Sequence, residues 1–202
     1  SSAEMELNIM KLSDLAAYNP ITVQCHDNPD ADALASGYAL YTYFKESGKD
    51  VRFLYAGRNA VQKPNLSLML RHLEIPVEYV DRVEDLLRDM PENRLPGLLI
   101  TVDCQYGEGN VMKIPAEHVA VIDHHQIEMK NVEMSEINPE LGSCSTLVWD
   151  MLRKEQYEIQ DIKLGTALYY GLYSDTNQFA EIYNPLDMDM REAVPVEKTL
   201  IT

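Results

Sequence analysis

Ile21-Thr22-Val23-Gln24-Cys25 runs directly into His26-Asp27-Asn28-Pro29-Asp30-Ala31-Asp32, and Ala33-Leu34-Ala35-Ser36-Gly37-Tyr38-Ala39-Leu40-Tyr41 follows at once. The first five residues lean apolar and read as a strand. The last nine read as a helix, with Leu34, Tyr38 and Tyr41 on one face. A histidine and aspartates crowd the turn between them. Strand, acidic turn, helix is how an α/β protein presents polar ligands at the carboxyl edge of its sheet.

The pattern repeats outward from this point. The helix extends to about Ser47, where Gly48 closes it. Residues 51–55 read as a second strand, 66–73 as a helix, 77–80 as an extended segment and 82–89 as a short helix. Pro96-Gly97 is expected to break the chain before Leu98-Leu99-Ile100-Thr101-Val102, an apolar run typical of a buried parallel strand. That run ends on Asp103. Val119-Ala120-Val121-Ile122 behaves alike and ends on Asp123-His124-His125. Helices are expected over 143–154 and 162–173, and a short one over 11–17 that stops before Asn19-Pro20. The fold class is therefore α/β, an open and mostly parallel β-sheet with helices on both faces. Three segments are expected: a leader with a short helix (1–19), a main domain (20–180), and a polar stretch (181–202) that starts a linker toward a further domain.

The 202 residues carry a net charge of −16, with 46% hydrophobic and 25% charged residues. That field repels long polyanions, so an extended nucleic-acid duplex is not the expected partner. No apolar run is long enough for a membrane span. The absence of a secretory leader, with an odd count of three cysteines (Cys25, Cys104, Cys144), points to reduced thiols and a cytoplasmic home. No CxxC spacing exists, so the cysteines are read as small buried hydrophobes.

Any one strand-terminal aspartate is a weak signal, since most such residues cap helices or sit in loops. Four clusters at one sheet edge are a stronger one: His26/Asp30/Asp32, Asp103, Asp123-His124-His125 and Asp175. Asp175 falls at a helix C-terminus, where the macrodipole disfavours a carboxylate. Converging carboxylates require shared protons or bound cations. Carboxylates with imidazoles and no thiolate select a fairly hard divalent ion, Mn²⁺ or Mg²⁺, with Fe²⁺ or Co²⁺ as further options. Two such ions, roughly 3.5–4 Å apart, would activate water and clamp a phosphoryl group.

These four elements, in this order and over about residues 20–180, resemble the signature motifs of the DHH phosphoesterase family. The resemblance implies a catalytic domain binding two Mn²⁺ ions. His26 and Asp30 would hold one ion, and Asp32, His124 and Asp175 the other, with Asp103 bridging. Asp123 would orient a histidine, His125 would face the phosphate, and Asn28 would contact the bridging water or phosphate. Asn28-Pro29-Asp30-Ala31-Asp32-Ala33-Leu34-Ala35-Ser36 and Ser174-Asp175-Thr176-Asn177-Gln178-Phe179 resemble the nanoRNase and pAp phosphatase branch, which acts on very short oligoribonucleotides or small nucleotides. Family-II manganese inorganic pyrophosphatases share the Asn-Pro-Asp opening and form the alternative; a non-catalytic metal- or nucleotide-binding module is the alternative outside enzymes. Ser143 and Arg58 are the substrate-contact candidates, although plain N-capping is the commoner role for a serine placed like Ser143, and a homodimer stays open. The nanoRNase branch continues into a glycine-rich basic domain, and no such motif follows Asp175, so that lobe is expected outside this chain.

Overall fold

The computed structural model describes residues 10–128, 132–197 and 199. In chain order the elements are α1 (Leu12–Leu15), β1 (Ile21–Cys25), α2 (Ala31–Glu46), β2 (Val51–Tyr55), α3 (Pro64–His72), β3 (Val77–Tyr79) and α4 (Val83–Leu87). After them come β4 (Leu95–Val102), β5 (Ala116–Asp123), β6 (Met134–Ile137), α5 (Cys144–Lys154), α6 (Ile162–Asp175) and α7 (Pro185–Ala193). The six strands form one sheet in the order β3-β2-β1-β4-β5-β6, and every pairing is parallel. The chain builds outward from β1 to β3, then returns to β1's other side to start β4. Connections therefore diverge on either side of the β1/β4 boundary and leave a crevice at the strands' carboxyl ends.

Register delivers the site residues to that crevice. Cys25 lies opposite Val102, and Val102 opposite Ile122. His26, Asp103 and Asp123-His124 consequently leave three adjacent strands at one level, and the Asp103 N–H still bonds the Ile122 carbonyl at 3.0 Å.

The two faces of the sheet are unequal. Ile21, Val23, Val51, Phe53, Leu98, Ile100 and Ile122 point into the larger core, with apolar residues of α1, α2, α3, α5, α6 and α7. Leu54, Leu95 and Leu99 point the other way, into a small cluster closed by Leu87 of α4 and Ile114. Alternate side chains along β2 and β4 thus serve opposite cores, as the pleat requires. Cys25, Cys104 and Cys144 are free and buried. Among the described residues no helix is long and apolar enough to cross a membrane.

Three expectations are corrected. Pro96-Gly97 does not break the chain: β4 begins at Leu95, and a register shift between Leu95 and Leu98 absorbs the proline, which has no N–H to give the ladder. Short edge strand β6 was not expected; its half-buried Met-Ser-Glu-Ile lacks the apolar density of β4. The stretch after 180 is no free linker as far as residue 197. Asn184 caps α7 by accepting from the Leu186 N–H, and Met190, Val194 and Asp187 are buried against the domain. The rest of that stretch, 198 and 200–202, and the first nine residues of the leader lie outside the described residues.

Candidate metal centre

The turn after β1 carries half of the site. His26 leaves the strand, Asn28 adopts a left-handed φ of 50°, and Asp30 caps α2 by accepting from the Ala33 N–H at 2.9 Å. Asp32, in the first turn of α2, is fully buried. Its carboxylate accepts from the N–H groups of Cys144 and Ser145, both at 2.8 Å, and from the Ser145 hydroxyl at 2.5 Å. The positive end of α5 therefore faces a carboxylate, the favourable polarity. That approach needs Gly171 on α6: a Cβ there would lie 2.4 Å from Ser145 Oγ and 3.2 Å from Asp32 Oδ1. Asp103 ends β4 in the left-handed region (φ 60°) and is almost fully buried. A non-glycine residue held there stores backbone strain, which collects at functional sites.

These pieces converge. His26 Nε2 lies 3.7 Å from Asp30 Oδ1 and 3.5 Å from Asp103 Oδ2. His124 Nε2 lies 3.6 Å from Asp32 Oδ2, 3.3 Å from Asp103 Oδ1 and 3.1 Å from Asp175 Oδ2. Asp103 so directs one oxygen to each histidine. Ligand atoms of His26/Asp30/Asp103 and of Asp32/His124/Asp175 each fall within 4.8 Å of one another. Backbone carbonyls fix both rings: His26 Nδ1 is 2.8 Å from the Asp27 carbonyl and His124 Nδ1 is 3.1 Å from that of Leu141. A carbonyl only accepts, so Nδ1 bears the hydrogen and Nε2 is the nitrogen aimed at the centre.

The electrostatics call for cations. Burial works against charge on both rings, yet Asp103 and Asp30 carry His26 from 6.5 up to about 11. Asp103 and Asp175, with Asp32, carry His124 up to about 12. Burial, reinforced by Asp103 and Asp175, pushes Asp32 well above the carboxylate range. Asp103 Oδ1 and His124 Nε2 are buried without a hydrogen-bond partner. Divalent ions would fit this place, since a metal takes up the neutral imidazole nitrogen and the ionised carboxylate, and the oxygen-plus-imidazole donor set suits ions of the Mn²⁺ or Mg²⁺ kind.

The remaining candidates divide. His125 is more than half exposed and its Nδ1 lies 2.7 Å from Asp123 Oδ1. That bond raises the pKa of His125. For Asp123, burial pushes upward, but bonds from His125 and Gln105 prevail and hold it low. Asp123 therefore orients His125, whereas carbonyls orient the two histidines of the metal cluster. Asn28 and Arg58 line one open cleft of about 720 Å³ with Asn59 and Asp81. Ser143 does not join them. It is fully buried, its Oγ accepts from the Thr146 N–H at 3.0 Å, and the first N–H groups of α5 are taken by Asp32. Of the two roles weighed for Ser143, the structure shows the helix cap and no open phosphate contact. Sequence reading missed the Leu141 carbonyl, Ser145, Gly171 and Gln105, whose amide donates to Asp123 Oδ2 at 3.0 Å. Only the start of α5 carried a signal, Ser-Cys-Ser-Thr before an amphipathic run.

The chain is 26% identical over 165 residues to the bifunctional oligoribonuclease and PAP phosphatase NrnA of Thermus thermophilus, which covers 81% of this chain and 45% of the relative. It is 28% identical over 156 residues to the "probable manganese-dependent inorganic pyrophosphatase" of Streptococcus thermophilus, covering 75% and 46%. The chain thus spans less than half the length of these curated relatives. An exopolyphosphatase-related protein from Bacteroides fragilis shares the fold, with a TM-score of 0.71 at 16% identity over 98% of this chain and 58% of that one. The model for the DHH family, N-terminal domain, matches residues 20–172, and the chain belongs to this phosphoesterase family.

Proposed function

We propose that this domain is a two-metal phosphohydrolase acting on very short oligoribonucleotides or small nucleotides such as pAp. The observation that carries the reading is Asp103, whose two carboxylate oxygens lie 3.5 Å from His26 and 3.3 Å from His124. A carboxylate so placed could share in holding a cation beside each histidine. His26 and Asp30 would hold one Mn²⁺, and Asp32, His124 and Asp175 the other. Bound divalent ions polarise a phosphoryl oxygen and lower the pKa of an attacking water.

The chain's own groups do the rest. Asp123, 2.7 Å from Nδ1, raises the pKa of His125 and leaves Nε2 as the nitrogen that would donate a hydrogen bond to a phosphoryl oxygen and a proton to the leaving oxygen. Asn28 and Arg58 line the neighbouring cleft and would orient the rest of a small anionic substrate. The net charge of −16 argues against tracking along a long nucleic acid. The NrnA relatives favour short nucleotides; the pyrophosphatase relative supports a second reading, in which pyrophosphate is the substrate.

The test is hydrolysis of pApA, pAp and pyrophosphate by the Mn²⁺-loaded chain, with His125→Ala as control. Cleavage of pApA or pAp, lost in His125→Ala while Mn²⁺ stoichiometry stays the same, is the expected result. Pyrophosphate turnover alone would favour the second reading, and Mn²⁺ binding without any hydrolysis a binding module.

A further inference from the structure

Asp187 is a fully buried carboxylate on α7, beyond the stretch that the family model matches. Burying a carboxylate is costly unless donors satisfy it. Its donors are the Gly142 N–H, at 3.0 and 3.2 Å from the two oxygens, and the Thr146 hydroxyl at 2.6 Å. The Gly142 N–H belongs to the same peptide unit as the Leu141 carbonyl. That carbonyl faces His124 Nδ1 at 3.1 Å. A continuous line therefore runs from the Asp187 carboxylate through one peptide group to the imidazole, whose Nε2 faces Asp32, Asp103 and Asp175.

We propose that Asp187 is a positioning residue for the second metal position, acting on His124 through the Leu141–Gly142 peptide. Carboxylates commonly hold a metal-binding histidine directly and raise its basicity; here a peptide is interposed. A negative group on the N–H polarises the peptide and makes its carbonyl a better acceptor, the mutual strengthening expected of hydrogen bonds in series. The carboxylate also fixes the peptide plane, and with it the ring's direction. Position 142 is shaped for this contact: a Cβ there would lie 3.2 Å from Asp187 Oδ2 and 2.8 Å from Thr176 Cγ2. Since α7 lies outside the sheet's own connections, the metal centre depends on a segment that its motifs do not include.

The inference rests on the two-metal reading, so the test begins with wild type. Mn²⁺ binding is followed by calorimetry and by the EPR signal of free Mn²⁺, with thermal melting of the chelated proteins as a check on folding. Wild type should bind two ions. Asp187→Ala should weaken one of them by roughly 10–100-fold, the range for losing an outer partner of a metal ligand. Asp187→Asn, which keeps the shape and one acceptor oxygen, should weaken the same ion less. Thr146→Val removes a donor to Asp187 but leaves the Gly142 contact, so its Mn²⁺ affinity should stay within about twofold of wild type. Wild-type affinity in both folded Asp187 variants would overturn the proposal, as would Thr146→Val weakening the ion as much as Asp187→Asn. If Asp187→Ala does not fold, Asp187→Asn alone decides. Failure of wild type to bind two ions would instead strike the two-metal reading itself, and this inference with it.

Discussion

The two halves of the metal centre are made in opposite ways. His26 and Asp30 come from a single turn, five residues end to end, and Asp30 remains about half exposed. Asp32, His124 and Asp175 come from three segments of the chain, and the N-terminus of a fourth, α5, seats Asp32. Asp32 and Ser145 are 113 residues apart in sequence, yet both are fully buried. One half is a property of local backbone; the other exists only once α2, α5 and α6 have packed. Metal binding at the second half should therefore be tied to stability, and at the first half largely independent of it.

Asp103 joins the halves, so Asp103→Asn should have the largest effect. The amide keeps the shape and removes the charge that faces both histidines. Mn²⁺ titration should show both ions weakened, each by more than the roughly 10–100-fold that an outer partner is worth. Loss of one ion only would mean that Asp103 does not bridge.

Gly171→Ala and Asp30→Asn should then separate the halves. The added methyl at 171 falls 2.4 Å from Ser145 Oγ, so α6 must move away from α5 and α2, carrying Asp175 with it. Overpacking of this kind costs about 1–3 kcal/mol, or a fall in Tm of about 2–4 °C per kcal/mol for a chain of this size. One Mn²⁺ should be lost along with that stability. Asp30→Asn should weaken the other ion while leaving the Tm of the chelated protein nearly unchanged, because asparagine caps a helix as well as aspartate. If Gly171→Ala lowered Tm but left both affinities intact, the coupling of packing to the second half would be wrong.

The same division decides what could be read from the sequence. The β1 turn was legible because its ligands, its cap and its flanking elements are contiguous. Asp103 and Asp123-His124-His125 were legible as polar residues ending apolar strands, and parallel register aligned them as expected. Asp175 had only an awkward helix-end position and the family resemblance. Ser145, Leu141 and Asp187 had less, since their roles arise from contacts over 17 to 113 residues that no local pattern encodes. Helix α7 is a different case. Asn184-Pro185 is a cap followed by proline at the first helical position, a sound start signal. The polar composition of Asp187-Met188-Asp189 hid it, because its buried face includes a carboxylate.

The smallest effect concerns His125, which belongs to neither half. Its ring is exposed, and Asp123, 2.7 Å from Nδ1, raises its pKa. If His125 gives a proton to the leaving oxygen, activity requires the protonated ring and falls as pH rises through its pKa. Asp123→Asn removes the partner that raises this pKa, so the alkaline limb of kcat/KM should move to lower pH. Both Mn²⁺ affinities should hold, because carbonyls rather than Asp123 orient His26 and His124. A limb that stays in place in Asp123→Asn would assign it to another group and remove His125 as the acid. A loss of Mn²⁺ would place Asp123 inside the metal centre, making the dyad a third part of the site rather than a neighbour to it.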